Sequence, residues 1–375
     1  MKNKLICFLK YVFIIIIFIH FSFSLFNIFT SIAPDFHEYY ISAKKLINVK
    51  ILNSDKHLYN GYPLFQTVFF IPFVFLPYFV SQGLFILLNI ISLLMIVFFT
   101  LKMFKTKIKL VNFFFLLSMI IVSFPFKFTI GMGQINLISS AFLILSFYLY
   151  KNRRNFLSGI FLAFAIWTKP YFAIMSLFYL LEYKKNLKIL YTTLLSLFFI
   201  LIISFVCFGL NNITQTLNSV PILLNFDNRE IYYNQGFMGF ISRFISNDLF
   251  KGIVSFITAL FLIACSIKKS INNKEKSLQF SLFITTILLI NPLSWQHHFI
   301  YLIFPFIIVF YKLKKCQNMY LYYWFWFSYL LISSNIKNPY ILKGFFGNII
   351  ISHVFIGALI FYFLIFYLLK RPKFT

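Results

Sequence analysis

The sequence predicts an all-α polytopic membrane protein with about twelve transmembrane helices. Three observations predict it. Hydrophobic residues make up 61% of the 375 positions and charged residues 11%, against roughly 45–50% and roughly 25% in soluble domains. Apolar runs recur at the length of about 20 residues that crosses a hydrocarbon layer of about 30 Å. Lys and Arg gather in the short segments at one end of those runs, the pattern of cytoplasmic loops. A soluble enzyme, a disordered chain and a secreted disulfide scaffold are excluded. Cys7, Cys207, Cys265 and Cys316 lie far apart without a C-x-x-C pair, so neither a zinc site nor a disulfide framework is indicated.

The spans are read at 5–28, 82–101, 110–126, 134–150, 187–209, 249–267, 277–293, 297–313, 319–334 and 347–369. Residues 156–182 are interrupted by Thr168-Lys169-Pro170 and read as two short spans meeting at Lys169. Residues 64–80 carry Pro72 and Pro77, which break helices, and read as a re-entrant or interfacial segment. Ser22-Phe23-Ser24 has the small-x-small spacing of a signal-peptide cleavage site, but the apolar run continues to Phe29. The first span is therefore read as uncleaved. With a cytoplasmic N-terminus both termini are inside, and the inner segments hold 22 of the 34 Lys and Arg with only Glu182 and Glu275 as acids. The formal charge of +26 is thus mostly topological. Lysines scattered over seven short segments form no stripe for nucleic acid. The chain reads as one integral-membrane domain, 1–375, with long external loops at 29–81 and 210–248.

Six of the eight carboxylates fall on the outer side: Asp35, Glu38, Asp55, Asp227, Glu230 and Asp248. Acid–base chemistry, if any, is expected there. Pro34 and Asp35 suit a helix start. Phe36, Tyr39, Tyr40, Ala43, Leu46 and Ile47 recur at helical spacing, which predicts an amphipathic juxtamembrane helix on the membrane surface. Asp35 and Glu38 share one face of it at i, i+3; read alone, Asp35 is as readily a helix cap and Glu38 a solvated charge.

Three polar clusters occur where spans reach the outer surface. Gly131-Met132-Gly133-Gln134-Ile135-Asn136 opens one span. Lys169 interrupts an apolar stretch, at a cost of roughly 2.5–3.5 kcal/mol if it faced lipid. An anionic partner or snorkelling to the interface would relieve it. Ser294-Trp295-Gln296-His297-His298 joins two spans. Adjacent histidines on a helix point about 100° apart, and no third ligand lies near in sequence, so no metal site is expected. The second long loop adds Asn234-Gln235-Gly236-Phe237-Met238-Gly239 and Arg243. His20 and His353 lie in apolar runs and read as packed inside the bundle.

The order of these features is more telling than any one of them: an acid after span one, a Tyr-Pro segment (Tyr59, Gly61-Tyr62-Pro63-Leu64), G-Q-x-N, a Lys-Pro break, N-Q-x-x-x-G with a downstream Arg, and S-W-x-H-H. The series, over about residues 30–315, resembles glycosyltransferase family 87. This is a GT-C family of polytopic transferases that use polyprenyl-phosphate sugars, and it includes mannosyltransferases. Gln134/Asn136 and Trp295/His297/His298 are the most specific matches. Leu64, Gly236 and Gln296 depart from it, where the family often has Pro, Ser and an acid.

The resemblance implies a GT-C fold and a sugar donor, mannose or a related pentose or hexose, carried on polyprenyl phosphate. Transfer would go, usually with inversion, to a lipid or glycan acceptor on the outer face of the cytoplasmic membrane, with no cofactor. Asp35 would be the base and His297 the runner-up. Lys169, Arg243 and His298 would hold the donor phosphate. Glu38, Tyr62, Gln134, Asn136, Asn234, Gln235 and Trp295 would meet the sugars, and the polyprenyl chain would lie between the external helix and the bundle. A transporter or lipid-linked-sugar flippase is the alternative for twelve spans with a broken helix. Against it, the two halves show no repeat and the polar residues gather at the outer surface.

Overall fold

The structure is a computed structural model and describes residues 2–47, 64–104, 109–208, 229–271, 273–316 and 318–370. Tyr62, Asp55 and Asp227 lie outside the described residues. The described chain is helical, with a single isolated bridge between Asn234 and Trp295.

The elements are α1 (Lys2–Thr30), α2 (Pro34–Ile47), α3 (Leu64–Thr67), α4 (Tyr78–Lys102), α5 (Leu110–Val122), α6 (Phe124–Met132), α7 (Asn136–Lys151) and α8 (Asn155–Thr168). They continue as α9 (Met175–Leu180), α10 (Tyr183–Phe208), α11 (Phe237–Ser242), α12 (Asp248–Ser270), α13 (Lys276–Ile290), α14 (Ile303–Cys316), α15 (Met319–Ser333), α16 (Gly344–Ile351) and α17 (His353–Leu368). Tight 3-10 turns cover Val68–Phe75, Pro170–Ile174, Gln296–Leu302 and Pro339–Ile341.

Each long helix sorts its residues for a lipid surround. In α4, Gln82, Asn89 and Thr100 are buried toward the bundle, while Leu84, Leu87, Leu94 and Phe98 are exposed. Lipid tails are as apolar as leucine, so helices associate through small and hydroxyl side chains and close packing. The α7–α8 pair shows this. Ser146 donates to the carbonyl of Ser158 at 2.8 Å and meets the Tyr179 hydroxyl at 3.0 Å. Gly159 lets the α8 backbone press against Thr192 and Ile189 of α10.

Among the described residues four helical segments are long and apolar enough to cross a bilayer, and six if two bent pairs each count as one. The bends are 70° between α5 and α6, at Ser123-Phe124-Pro125, and 59° between α16 and α17. α8, with 14 residues, is about 21 Å long, short of a hydrocarbon layer of about 30 Å. It stops at Lys169-Pro170, where Pro ends the helical hydrogen bonding. α7 begins only after Gly133-Gln134. The helices that carry the polar motifs are therefore the short ones, and the motifs sit recessed at one end of the bundle.

α2 forms where expected, but its apolar face does not lie on a membrane. Phe36 stacks on Phe85 of α4 with centroids 4.9 Å apart, and Tyr39 on Phe70 at 4.2 Å. The space beneath α2 that the sequence suggested for a polyprenyl chain is thus filled by the protein's own aromatics. The filling comes from Phe85 of α4 and from Phe70 in residues 64–77, whose prolines limit them to α3 and an eight-residue 3-10 turn. This segment pads α2 and is too short to be a continuous span.

Candidate active site

Asp35 stands in the first turn of α2, and the corner before it is fixed by Gln82. The Gln82 amide donates to the carbonyls of Ile28 (3.0 Å) and Ser31 (2.8 Å), and its oxygen accepts from Ala33 N–H (3.0 Å) and the Tyr78 hydroxyl (2.7 Å). This network sets where α1 ends and where Asp35 points. Opposite Asp35, Gly133 adopts φ +69°, a conformation costly for residues with a Cβ. A Cβ at 133 would lie 2.6 Å from Phe36 Cβ and 3.0 Å from Ala33 Cβ. The glycine therefore permits both the turn and the close approach of α2.

Gln134 follows and joins an acid to a base. Its amide Nε2 donates to Asp35 Oδ2 at 2.5 Å, while its Oε1 accepts from Tyr39 (3.1 Å) and from Lys169 Nζ (3.4 Å). Lys169 is only 8% exposed, held where α8 ends by Lys169 N–H to Ala165 O and by Gln66 on the Thr168 carbonyl. Glu38 sits half-buried one turn beyond Asp35. Burial pushes the Asp35 carboxyl above its ordinary range, against the Gln134 hydrogen bond and the Lys169 charge, and Glu38 adds to the rise.

The histidines lie on the 3-10 turn Gln296–Leu302 and are buried. Asn136 Nδ2 and the Thr129 hydroxyl both donate to the His297 carbonyl, at 3.3 and 3.2 Å, and Tyr301 donates to Asn136 Oδ1 at 2.8 Å. Asn136 thus ties the start of α7 to the histidine turn, and both ends of its amide are used by the protein. His298 Nδ1 accepts the Trp295 N–H at 3.2 Å, which leaves the proton of a neutral ring on Nε2. His297 Nδ1 is buried without a hydrogen bond to the protein. Among the described residues no group of three His, Cys, Asp or Glu is placed to hold a metal ion.

Asn234, Gln235 and Arg243 form a separate cluster. Asn234 donates to the carbonyls of Arg229 and Pro292, both at 3.0 Å. Gln235 donates to the carbonyls of Tyr232 and Ile351 (2.5 and 2.8 Å) and accepts from Phe355 N–H. Arg243 holds Ser352 Oγ at 2.8 Å and the Asn234 carbonyl at 2.6 Å, with further bonds to Ile231 and Tyr232. Most of these bonds run to backbone carbonyls, while Arg243 Nε is buried without a hydrogen bond to the protein. The cluster meets the histidine turn through Gln235 N–H to Ser294 O (2.8 Å) and Gln296 N–H to Tyr233 O (2.9 Å), which brings Trp295 beside it.

The structure therefore gathers Asp35, Glu38, Gln134, Asn136, Lys169, His297 and His298 at one end of the bundle. It also supplies members that the sequence did not single out: Gln82 and Gly133 as positioners, and Tyr39 and Tyr301 as hydrogen-bond partners. Gly133 was visible inside the G-M-G-Q-x-N motif; nothing local marks Gln82, whose backbone partners are about 50 residues away. At the opposite end both acids are paired. Glu182 meets Lys276 at 2.7 Å and Glu275 meets Lys312 at 2.5 Å. Between α5, α14 and α15 runs an apolar groove lined among others by Leu116, Met119, Ile303, Phe306 and Tyr329. Its end at Ser123, Pro125 and Phe299 adjoins the histidine turn.

No curated protein and no solved structure matches the chain. Glycosyltransferase family 87 matches residues 60–292. The match takes in Gln134, Asn136, Lys169, Asn234, Gln235 and Arg243, while Asp35, Trp295, His297 and His298 lie beyond its ends. It spans more than half of an all-helical chain with membrane-crossing helices, and the chain belongs to glycosyltransferase family 87.

Proposed function

We propose that this membrane glycosyltransferase is a GT-C-type, inverting enzyme of about twelve spans with both termini in the cytoplasm. It transfers a sugar, mannose or a related pentose or hexose, from polyprenyl phosphate to a lipid or glycan acceptor on the outer face of the cytoplasmic membrane. The observation that carries the reading is the Gln134 bridge, which sets a carboxylate and a buried ammonium on opposite ends of one amide. The carboxylate suits a general base and the ammonium a phosphate anchor. The ion pairing of Glu182 and Glu275 supports the same face, because it leaves neither free to act as base at the other end.

In the proposed step the acceptor hydroxyl attacks the anomeric carbon while Asp35 takes its proton. The bond from that carbon to the phosphate oxygen breaks, and the lipid phosphate leaves with the electron pair. Lys169 and the Nε2–H of His298 meet the charge that grows on it. The isoprenoid chain lies in the groove between α5, α14 and α15, since the space under α2 is filled. Arg243, Asn234 and Gln235 act as positioners in this scheme, and His297 faces the sugars.

The direct test is incubation of the purified protein with synthetic polyprenyl-phosphate sugars and a panel of lipid acceptors, read by mass spectrometry. A product heavier by one sugar is expected; no transfer and no donor hydrolysis with any pentose or hexose donor would overturn the reading. Lys169→Met is expected to raise the donor KM by about 10–100-fold, the worth of one charged hydrogen bond, with the acceptor KM unchanged. An unchanged donor KM would remove Lys169 from the phosphate site.

A further inference from the structure

Lys169 stands on a stretch of backbone that α8 leaves unfinished. Pro170 has no N–H to give the Ile166 carbonyl. The N–H of Phe172, which a continuous helix would give to the Thr168 carbonyl, bonds to the Lys169 carbonyl instead, at 3.0 Å. Thr168 is buried, and a carbonyl there needs a donor from elsewhere. Gln66 supplies it: its Nε2 donates to the Thr168 carbonyl at 2.9 Å, across 102 residues of sequence. Lys169 itself is extended, with φ −146° and ψ 96°. Its ammonium reaches Gln134 Oε1 only at 3.4 Å, longer than the usual range of about 2.7–3.2 Å. That side-chain bond contributes little to placing the charge, so the backbone at 168–169 decides where the charge stands.

Gln66 belongs to a segment anchored on two sides. Toward α8, Phe69 meets Trp167 edge to face with centroids 5.8 Å apart. Toward α2, Phe70 stacks on Tyr39 at 4.2 Å and meets Phe36 at 6.5 Å. The rings of Phe69 and Phe70 touch each other at 5.3 Å. Further on, the Tyr40 hydroxyl donates to the Leu76 carbonyl at 2.9 Å. Residues 66–76 are thus a brace that runs from the end of α8 to the helix that carries Asp35. Apolar contact is not directional, so ring packing alone would let the brace slide along α8. The Gln66 bond is directional and fixes the register. A bond that only held helices together would serve anywhere along α8; this one falls on the last carbonyl before Lys169.

We infer that Gln66 is a positioning residue for the donor, which acts through Lys169 by holding the backbone break where the ammonium meets the donor phosphate. The inference rests on the proposed transfer reaction, in which Lys169 anchors that phosphate. It gives the two ends of the brace separate duties. The Gln66 end sets donor affinity, and the Phe70 end seats the helix of the base.

The test measures donor and acceptor KM with a synthetic polyprenyl-phosphate sugar in single and double variants. Gln66→Leu is expected to raise the donor KM by about three- to tenfold, the worth of one hydrogen bond, with the acceptor KM unchanged because Phe70 still seats α2. In a Lys169→Met background the same substitution is expected to change the donor KM no further, as for two residues that act as a unit. Should Gln66→Leu fail to accumulate as folded protein, Gln66→Asn, an amide one methylene shorter, carries the same expectations. A donor KM equal to the wild type would overturn the inference and leave the transfer reaction standing. So would a double variant whose donor KM is raised by the product of the two single effects. A protein that neither transfers nor hydrolyses the donor would overturn the transfer reaction, and the inference with it.

Discussion

Replacement of Asp35 by Asn is expected to lower sugar transfer by about 10²–10⁴-fold, the usual contribution of a general base. The substitution keeps the shape and a hydrogen-bond acceptor for Gln134 Nε2, so insertion, monodispersity and donor affinity are expected to stay near wild type. Near-wild-type turnover would remove Asp35 from the base role. The pH profile carries a second mark of the same group. The base works only when ionised, so the rate falls as pH drops through its pKa. Burial and the neighbouring Glu38 charge raise that pKa. The acidic limb of kcat/KM is therefore expected above the ordinary carboxylate value of about 3.9. Glu38→Gln removes a negative charge beside Asp35 and is expected to move that limb to lower pH. A limb that stayed in place would mean that Asp35 does not set it.

Gly133→Ala is expected to be nearly as damaging although it touches no substrate. The φ of +69° alone costs roughly 1–2 kcal/mol for a residue with a Cβ. The new methyl would also press on Ala33 Cβ, just before α2, and on Phe36 Cβ in its first turn. The relief open to it is a shift of α2 away from α6, which stretches the bond between Asp35 and Gln134. A displacement of about 1 Å in a catalytic group can cost about 10²-fold. Turnover is thus expected to fall by about that factor while the protein still purifies as a folded species. Thermal unfolding measured beside activity checks this: full activity in the alanine variant would show that α2 need not sit so close.

The class of the fold was legible because a bilayer demands long apolar runs, and the composition has little else to offer. α1, α4, α10 and α12 follow from run length alone. The short helices were harder. α8 and α9 are too brief for a simple hydropathy window, and only the Lys169-Pro170 break marked where they meet. The gathering of Asp35, Gln134, Lys169 and His297 was readable in outline, since all four stand where apolar runs stop.

The division of labour within the site was less legible. Asn136, Asn234, Gln235 and Arg243 look like substrate-reading groups in a sequence, because an amide or guanidinium is equally suited to a hydroxyl and to a backbone carbonyl. In the structure these side chains bond to backbone carbonyls, a use that no sequence pattern marks. Likewise the aromatics of α2 looked ready for lipid, and only the fold shows Phe70 and Phe85 already in place against them.

The ties from Gln235 to Ile351 and Phe355, and from Arg243 to Ser352, have a consequence for the order in which the enzyme matures. Asp35, Gln134, Lys169 and both histidines are synthesised before residue 300, yet the segment Tyr232–Gln235 that bonds to the histidine turn takes anchors from α16 and α17. A chain arrested before α16 would carry every group proposed for donor and proton and still lack the anchors that hold this segment. The backing of the histidine turn is thus complete only once α16 and α17 have packed against it.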